Sequence, residues 1–369
     1  MNDIRRVLSY NDVLLVPRSS AKNHLSDANL IYEYDNIPCP FSNIPLINAP
    51  MDKVCSVDLI SHLYGMNMPV TIHRWFKSAD EQLDFFKSCN VCYSGCGSVF
   101  MSVGSVQKWQ DWIQTLVRNW GRPSEYSILV DMANGDSSTC VETVAYIRRQ
   151  LPECNIMAGN ISTRSGYARL EEAGANFIRA GIGAGSICTT RTSTGFGLPT
   201  LTSIFDCAKV KSDHSYLIAD GGIEYPGDIS KAMAAGADMV MVGKLLASTS
   251  LSSGEKLDRN GKILLPEQYD KKAKWVRYTG MASKEAQTKL NSKKTHISVE
   301  GTSNSLVPYT GDTKEVVEGI FGNLRSAMAY YGGCGSWKEF QRKVKFVELT
   351  NQGWGESLSR VNNNDFEVE

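Results

Sequence analysis

Eight short apolar runs recur through the chain, and this recurrence constrains the fold more than any other feature. Each run is five residues long, as expected for a strand that is buried on both faces of a parallel sheet. The runs cover residues 45–49, 69–73, 91–95, 127–131, 155–159, 177–181, 216–220 and 239–243. Segments with helical spacing lie between them, the clearest being 106–117, 167–173 and 228–235. This alternation predicts a (β/α)8 barrel, with a doubly wound parallel sheet as the alternative.

Glycines and polar residues follow nearly every predicted strand, and this favours the barrel. Examples are His73-Arg74, Asp131 and Asp220-Gly221-Gly222. Barrel enzymes build their active sites from the loops at the carboxyl ends of the strands. We therefore predict one barrel domain over residues 1–369, with an N-terminal arm at 1–44. The polar, irregular stretch 250–312 is too long for a plain loop and predicts a flap or finger.

Charge and hydropathy argue against nucleic acid and membrane as partners. Lys+Arg and Asp+Glu both number 39, so no global field attracts an anionic polymer or surface. No apolar run is long enough to span a bilayer, and residues 1–6 lack the apolar core of a signal peptide. The ten cysteines show no disulfide framework, so we expect a reduced, cytoplasmic protein. Cys89, Cys92 and Cys96 have a spacing reminiscent of metal ligands, but no fourth ligand is evident and we assign them no metal.

The loop after the sixth predicted strand carries the strongest chemical signal. Residues 181–191 read Gly-Ile-Gly-Ala-Gly-Ser-Ile-Cys-Thr-Thr-Arg, with three glycines in five positions. Such a loop can bring its backbone close to a ligand. Cys188, on this loop at the carboxyl end of a strand, is a candidate nucleophile. From local sequence alone, a structural cysteine on an ordinary loop is the alternative.

The seventh and eighth loops carry a second signal, in which glycines neighbour a carboxylate. Gly221, Gly222 and Gly243 lie where barrels commonly bind phosphate through backbone N–H groups. Asp220 is better suited to accept hydrogen bonds from ribose hydroxyls than to contact a phosphate. Glycines that merely turn the chain are the alternative. Facing the cysteine loop at the same barrel end, these residues predict a nucleoside monophosphate presented to a thiolate.

Several motifs together resemble the IMP dehydrogenase/GMP reductase family. They are the cysteine loop, Asn-Ala-Pro-Met-Asp at 48–52, Ala-Asp-Gly-Gly-Ile at 219–223, Tyr-Thr-Gly-Met-Ala-Ser at 278–283 and Phe-Val-Glu-Leu-Thr at 346–350. The resemblance covers about residues 10–355. It implies a barrel enzyme that holds a purine nucleotide covalently on Cys188 through C2, uses a nicotinamide cofactor and usually forms a homotetramer.

The resemblance also implies the remaining site residues. The implied nucleotide-binding residues are Asn48, Met51, Ser186, Asp220, Gly221, Gly222, Gly243, Lys244, Tyr278, Gly280, Met281 and Ser283. The implied cofactor-binding residues are Asp131, Ala133, Asn134 and Gly181. Carbonyl groups of Gly183, Gly185 and Cys188 are implied to hold a potassium ion. Lys244 stands where the family normally has a small residue, so it either strengthens phosphate binding or blocks it.

Three features are closer to GMP reductase than to IMP dehydrogenase. Only residues 76–90 separate His73-Arg74 from the third predicted strand, so the CBS insertion usual in dehydrogenases is absent. Asp-Met-Ala-Asn-Gly at 131–135 resembles the Asp-Val-Ala-Asn-Gly of reductases. Residues 284–300 lack the Arg-Tyr pair with which dehydrogenases activate water, whereas Glu300 matches the reductase glutamate that pairs with the threonine at Thr190.

We therefore predict a GMP reductase that uses NADPH to convert GMP into IMP and ammonia, with Cys188, Thr190 and Glu300 as its catalytic residues. Arg179 and Tyr278 are more like the dehydrogenase, and Ala184 replaces a proline that is usual in the loop. The alternatives are an IMP dehydrogenase without CBS modules, converting IMP to XMP with NAD, or a related oxidoreductase of altered specificity. A catalytically silent relative is disfavoured, because several matched catalytic positions are present together.

Overall fold

The structure is a computed structural model that describes residues 4–91, 97–119, 127–280, 283, 300–303 and 305–357. Within this part of the chain, eight parallel strands form one sheet, with the first strand paired to the eighth. The strands are Leu46–Asn48, Val70–Ile72, Val99–Val103, Ser127–Asp131, Asn155–Ile161, Phe177–Ala180, Tyr216–Asp220 and Met239–Val242. This arrangement confirms the predicted (β/α)8 barrel.

Helices cover the outside of the barrel, and a serine or threonine caps the N-terminus of several of them. The longer ones are Val57–Gly65, Ala79–Ser88, Val106–Asn119, Ser138–Gln150, Arg164–Glu172, Thr200–Cys207, Pro226–Ala234 and Thr313–Ser326. Ser56, Ser78, Ser137 and Thr163 each accept a backbone N–H from the first turn of the helix that follows. Shorter helices are Thr190–Thr194, Lys244–Ala247, Tyr269–Lys272, Trp337–Lys343 and Asn351–Ser357. Among the described helices, none is long and apolar enough to cross a lipid bilayer.

The third barrel strand is not where the sequence predicted it. The strand is Val99–Val103, and all five of its residues are buried. The sequence predicts the run 91–95, of which residues 92–95 lie outside the described part of the chain. Both runs are apolar, and in the described chain Val99–Val103 pairs with the second and fourth strands.

The N-terminal arm closes the bottom of the barrel. Its strands Tyr32–Tyr34 and Phe41–Asn43 pair with each other and carry aromatic rings beneath the sheet. The ring of Tyr34 lies 5.5 Å from that of Phe177 and 4.9 Å from that of Tyr216. Another arm strand, Val13–Leu15, pairs with Phe346–Glu348 near the C-terminus. Because aromatic packing fills this end, the open end for ligands is the carboxyl end of the strands.

The stretch after the eighth strand carries a small antiparallel sheet. Its strands are Lys256–Leu257, Trp275–Tyr278 and Ser305–Pro308. Within the predicted flap or finger, 250–312, residues 281–282, 284–299 and 304 lie outside the described part of the chain. Residues 300–303 return to the barrel mouth, where Gly301 pairs with Cys188.

Candidate active site

A cavity of about 900 Å³ opens at the carboxyl ends of the barrel strands. This volume lies in the range typical of small-molecule sites. It is lined by most of the residues singled out from the sequence: Met51, Asp131, Ala133, Gly181, Gly183, Gly185, Ser186, Cys188, Thr190, Asp220, Gly221, Gly222, Gly243, Lys244, Tyr278, Gly280 and Glu300. The fold thus gathers loops that are far apart in sequence around one space.

Three predicted site residues of the described chain, Asn48, Asn134 and Ser283, do not line the cavity. Asn48 is fully buried, and its side chain joins the first and second barrel strands through hydrogen bonds with Thr71. Asn134 is exposed and its side chain accepts the N–H of Asp136. Ser283 is buried near Gly280, while Met281 lies outside the described residues.

The cysteine loop folds tightly because its glycines take conformations that other residues avoid. Gly181 has a φ of 147°, and a Cβ there would lie 1.8 Å from the carbonyl oxygen of Asp220. Gly183 also has a positive φ, of 77°. The N–H of Cys188 then donates to the carbonyl of Gly185 at 3.0 Å. These turns bring the thiol to the cavity, immediately before the short helix that starts at Thr190.

A hydrogen-bonded chain runs from the thiol to a carboxylate. The Thr190 hydroxyl donates to Glu300 Oε2 at 2.8 Å, and Cys188 Sγ lies 3.2 Å from the Thr190 oxygen. Since that hydroxyl uses its hydrogen on Glu300, it can accept the hydrogen of the thiol. Two backbone hydrogen bonds, Thr189 N–H to Glu300 O and Thr302 N–H to Ile187 O, hold the segments together. The arrangement can move a proton between sulfur and carboxylate.

Cys188 differs from most of the other described cysteines in its surroundings. Burial raises the pKa of Cys55, Cys89, Cys140 and Cys154 to about 12. Cys207 shares this pKa of about 12 for the same reason. Cys188 and Cys39 are only partly buried. Because the thiolate is the reactive form, the five thiols whose pKa is about 12 are poor nucleophiles at neutral pH.

A second wall of the cavity is a row of alternating charges. Arg179 donates to Asp131 Oδ1 at 2.8 Å and to Asp220 Oδ2 at 2.8 and 3.1 Å. Arg74 donates to the other oxygen of Asp131 at 3.2 Å, and Asn160 donates to Asp220 Oδ2 at 2.7 Å. We call these five residues the charged wall. It joins the ends of the second, fourth, fifth, sixth and seventh barrel strands.

Sequence reasoning missed Arg179, Arg74 and Asn160 as site residues, although signals for them existed. Arg179 is a charged residue within an otherwise apolar strand, and its side chain is only 7% exposed. Burial alone would raise the pKa of Asp131, but the guanidinium groups of Arg179 and Arg74 outweigh it and lower that pKa. The Asp131 carboxylate is therefore held in its ionised form.

Lys244 begins the short helix after Gly243 and lies at the edge of the cavity. Its Nζ is 3.6 Å from the Glu224 carboxylate, and both side chains are partly exposed. A Cβ at Gly243 would come within 2.7 Å of the Tyr278 hydroxyl, so this position favours glycine. The Tyr278 hydroxyl also lies 3.3 Å from Met51 Sδ.

Known proteins match this chain over nearly its whole length. Residues 7–360 match the IMP dehydrogenase/GMP reductase domain. The chain belongs to this family. It is 32% identical to mouse GMP reductase 2 over 360 residues, covering 95% of this chain and 96% of that protein. Human GMP reductase 1 is 33% identical over 350 residues, covering 94% and 96%. The GMP reductase of Caenorhabditis elegans is 31% identical over 348 residues, covering 94% and 92%.

These similarities confirm the family predicted from the motifs, and they confirm the enzyme class. Members of the family are purine nucleotide oxidoreductases that depend on a nicotinamide dinucleotide. The cysteine loop, the Thr190–Glu300 pair and the charged wall therefore line the cavity of an oxidoreductase barrel.

Proposed function

We propose that this enzyme is a GMP reductase, which converts GMP to IMP and ammonia at the expense of NADPH. The observation that carries the proposal is the Cys188–Thr190–Glu300 chain, because it connects a nucleophile to a group that can exchange protons. Similarity to several GMP reductases supports the same substrate.

The nucleotide is expected to lie between the two walls of the cavity. Asp220 would accept hydrogen bonds from the ribose hydroxyls, and Gly221, Gly222 and Gly243 would offer backbone N–H groups to the phosphate. Lys244 directly follows Gly243, and its ammonium group could leave Glu224 and pair with the phosphate instead. Met51, Ser186, Tyr278 and Gly280 complete the proposed nucleotide site, and Met281 is retained from the sequence.

The chemistry replaces the C2–NH₂ bond of guanine by a C2–H bond. Cys188 loses its proton through Thr190 to Glu300, and the thiolate forms a bond to C2. The amino group leaves as ammonia after it gains a proton, for which Glu300 is the nearby donor. One hydride then adds at C2 and the C2–S bond breaks, which restores the thiolate. In total, one hydride and one proton are consumed for each ammonia released.

The charged wall and its neighbours fit a nicotinamide dinucleotide, which supplies the hydride when it is bound. Asp131 is an ionised acceptor that can bind ribose hydroxyl or carboxamide N–H groups. Ala133 and Gly181 line the same part of the cavity without bulky side chains. Arg74 lies over the ring of Trp75 at 4.7 Å beside them. Asn134 is retained only as a sequence-based proposal, because its side chain bonds its own turn.

A potassium ion would fit the carbonyl groups of Gly183, Gly185 and Cys188, since neutral backbone oxygens suit a large monovalent cation. The carbonyl of Gly185 already accepts one hydrogen bond and keeps a second lone pair. Such an ion would fix the loop that carries the thiol.

We also propose that the protein forms the homotetramer usual in the family. Light scattering of the purified protein would test this.

A direct comparison of two reactions tests the proposed function. The protein is incubated with GMP and NADPH, and separately with IMP and NAD, and the nucleotides are separated by chromatography. We expect IMP and ammonia in the first reaction, with NADPH oxidised in equal amount. The Cys188→Ser variant serves as the control. XMP formation in the second reaction, with no GMP-dependent NADPH oxidation in the first, would contradict the proposal and favour the dehydrogenase.

A further inference from the structure

Arg179 occupies the centre of the charged wall and is the side chain that joins its two halves. It lies in the sixth strand, lines the cavity and is almost completely buried. Its guanidinium group reaches Asp131 on one side and Asp220 on the other, in contacts of 3.1 Å or less. A buried guanidinium group requires such partners because its desolvation is costly.

The donors around Asp220 all converge on one of its two carboxylate oxygens. Arg179 donates twice to Oδ2, and Asn160 donates a third hydrogen bond to the same atom. Among the described residues, no donor bonds to Oδ1. The carboxylate is thus fixed in orientation by Oδ2, while Oδ1 keeps its lone pairs for a ligand in the cavity.

The same guanidinium group also fixes Asp131, and a lysine would replace it only in part. Three N–H groups of Arg179 are used at once, in a planar arrangement that reaches two carboxylates. An ammonium group is a compact point charge at the end of a flexible chain, so it would lose part of this double attachment. The bidentate geometry is what sets both carboxylates together.

Building on the proposed function, we propose that Arg179 is a positioning residue that sets the preference of the enzyme for a ribose over a 2′-deoxyribose nucleotide. It acts through Asp220, whose Oδ1 it leaves oriented toward the ribose hydroxyls. Through Asp131 it also supports binding of the dinucleotide. Substrate and cofactor sites are therefore ordered by one side chain.

Dissociation constants of GMP, 2′-deoxy-GMP and NADP⁺, measured by calorimetry, test this role in the wild type and in Arg179→Lys. The wild type is expected to bind GMP about tenfold more tightly than 2′-deoxy-GMP, because this is the gain in affinity that one hydrogen bond to a charged group gives. In Arg179→Lys we expect that ratio to fall to about two or less through weaker GMP binding. Binding of NADP⁺ is expected to weaken by at least about threefold.

The matched control is Arg148→Lys, at the opposite end of the strands. Arg148 is partly buried and, like Arg179, uses its guanidinium group for several hydrogen bonds, to the carbonyls of Gly174, Pro152 and Cys154. Its loss is expected to lower the unfolding temperature but to leave the ribose preference unchanged. If Arg179→Lys does not fold, Asp131→Asn removes one of the two anchors of Arg179 and should lower the same preference in the same direction.

If the ratio of the dissociation constants of 2′-deoxy-GMP and GMP stays unchanged in Arg179→Lys, even with both ligands bound more weakly, the role of Arg179 is overturned. An unchanged ratio in Asp131→Asn, where that variant is needed, would overturn it as well. The same titrations with IMP and 2′-deoxy-IMP separate this result from the reductase proposal. If the enzyme uses IMP and not GMP, the reductase proposal fails while the ribose preference on IMP still decides the role of Arg179.

Discussion

The two walls of the cavity are built in different ways. The cysteine wall consists of the loop 181–191 and Glu300, and its hydrogen bonds join a thiol, a hydroxyl and one carboxylate. The charged wall joins side chains from the ends of five strands. Arg179 lies between the carboxylates of Asp131 and Asp220, and Arg74 contacts Asp131 from the other side. The first wall carries a reactive atom that can change its proton content. The second wall holds its charges fixed.

This difference assigns separate tasks to the two walls. A proton relay must contain groups that gain and lose protons during the reaction, so its replacement should lower kcat. A rigid charged network positions ligands before the reaction, so its replacement should weaken binding. Each prediction below tests whether the effect falls on the expected quantity.

The largest effect is expected from Cys188→Ala, which removes the nucleophile of the cysteine wall. We expect kcat to fall by about 10⁴-fold or more, because no other group can form the bond to C2. Nucleotide binding should stay measurable by calorimetry. Cys39→Ala is the matched control, since Cys39 is the other partly buried cysteine of the described chain outside the site. Substantial turnover in Cys188→Ala would remove this thiol from the mechanism.

The next effect is expected from Glu300→Gln, at the far end of the proton chain. The amide keeps the shape and the hydrogen bond to Thr190 but cannot exchange the proton, so kcat should fall by about 10²-fold or more. The Kd of GMP should change by less than about threefold, as shape is preserved. A variant that binds GMP poorly but turns over normally would assign Glu300 to binding and break the comparison.

A smaller effect is expected on the charged wall, from Asp220→Ala. Loss of a charged acceptor for ribose hydroxyls should raise the Kd of GMP by about tenfold or more. The comparison predicts that single-turnover rates at saturating GMP change less than binding does. Asp206→Ala is a control, because this carboxylate also pairs with arginines, Arg5 and Arg164, but lies outside the cavity lining.

The smallest effect on turnover is expected at His73, beside Arg74, where the prediction concerns stability instead. Burial lowers the pKa of His73 to about 4, against about 6.5 in an unfolded chain. The unfolded state therefore binds more protons between these values, so the stabilisation present above pH 6.5 is lost as pH falls toward 4. A difference of this size corresponds to about 3 kcal/mol.

Chemical denaturation of His73→Phe and the wild type between pH 4 and 7 measures this contribution. The variant has no imidazole to protonate, so its free energy of unfolding should depend less on pH across that range. Identical pH dependence in both proteins would contradict the assignment. GMP turnover at pH 7 should change less than in any variant of the two walls, since His73 does not line the cavity.

Much of the fold was predictable because parallel strands leave a simple trace in sequence. Seven of the predicted runs coincide with barrel strands in the described chain, since both faces of such strands are apolar. The third was wrong because 91–95 and Val99–Val103 are equally plausible apolar runs, and only pairing with neighbouring strands selects the second. Asn48 was predicted to bind the nucleotide, but its amide joins the first two barrel strands instead. Its motif gave no sign of this, because the contact depends on how the strands lie together.

The sequence by itself determined the loop 181–191 of the cysteine wall, because Cys188 and Thr190 lie two residues apart and the glycines that shape their loop are adjacent to them. Glu300, 110 residues from Thr190, was predicted only from the resemblance to the family. The sequence also predicted Asp131 and Asp220 as site residues, but the tertiary structure alone decided that Arg179 joins them in the charged wall. The two carboxylates that Arg179 contacts lie 41 and 48 residues away, on the seventh and fourth barrel strands. Which charges meet depends on the register of the sheet and on the direction of each side chain. These are set by packing of the whole barrel, which no short motif encodes.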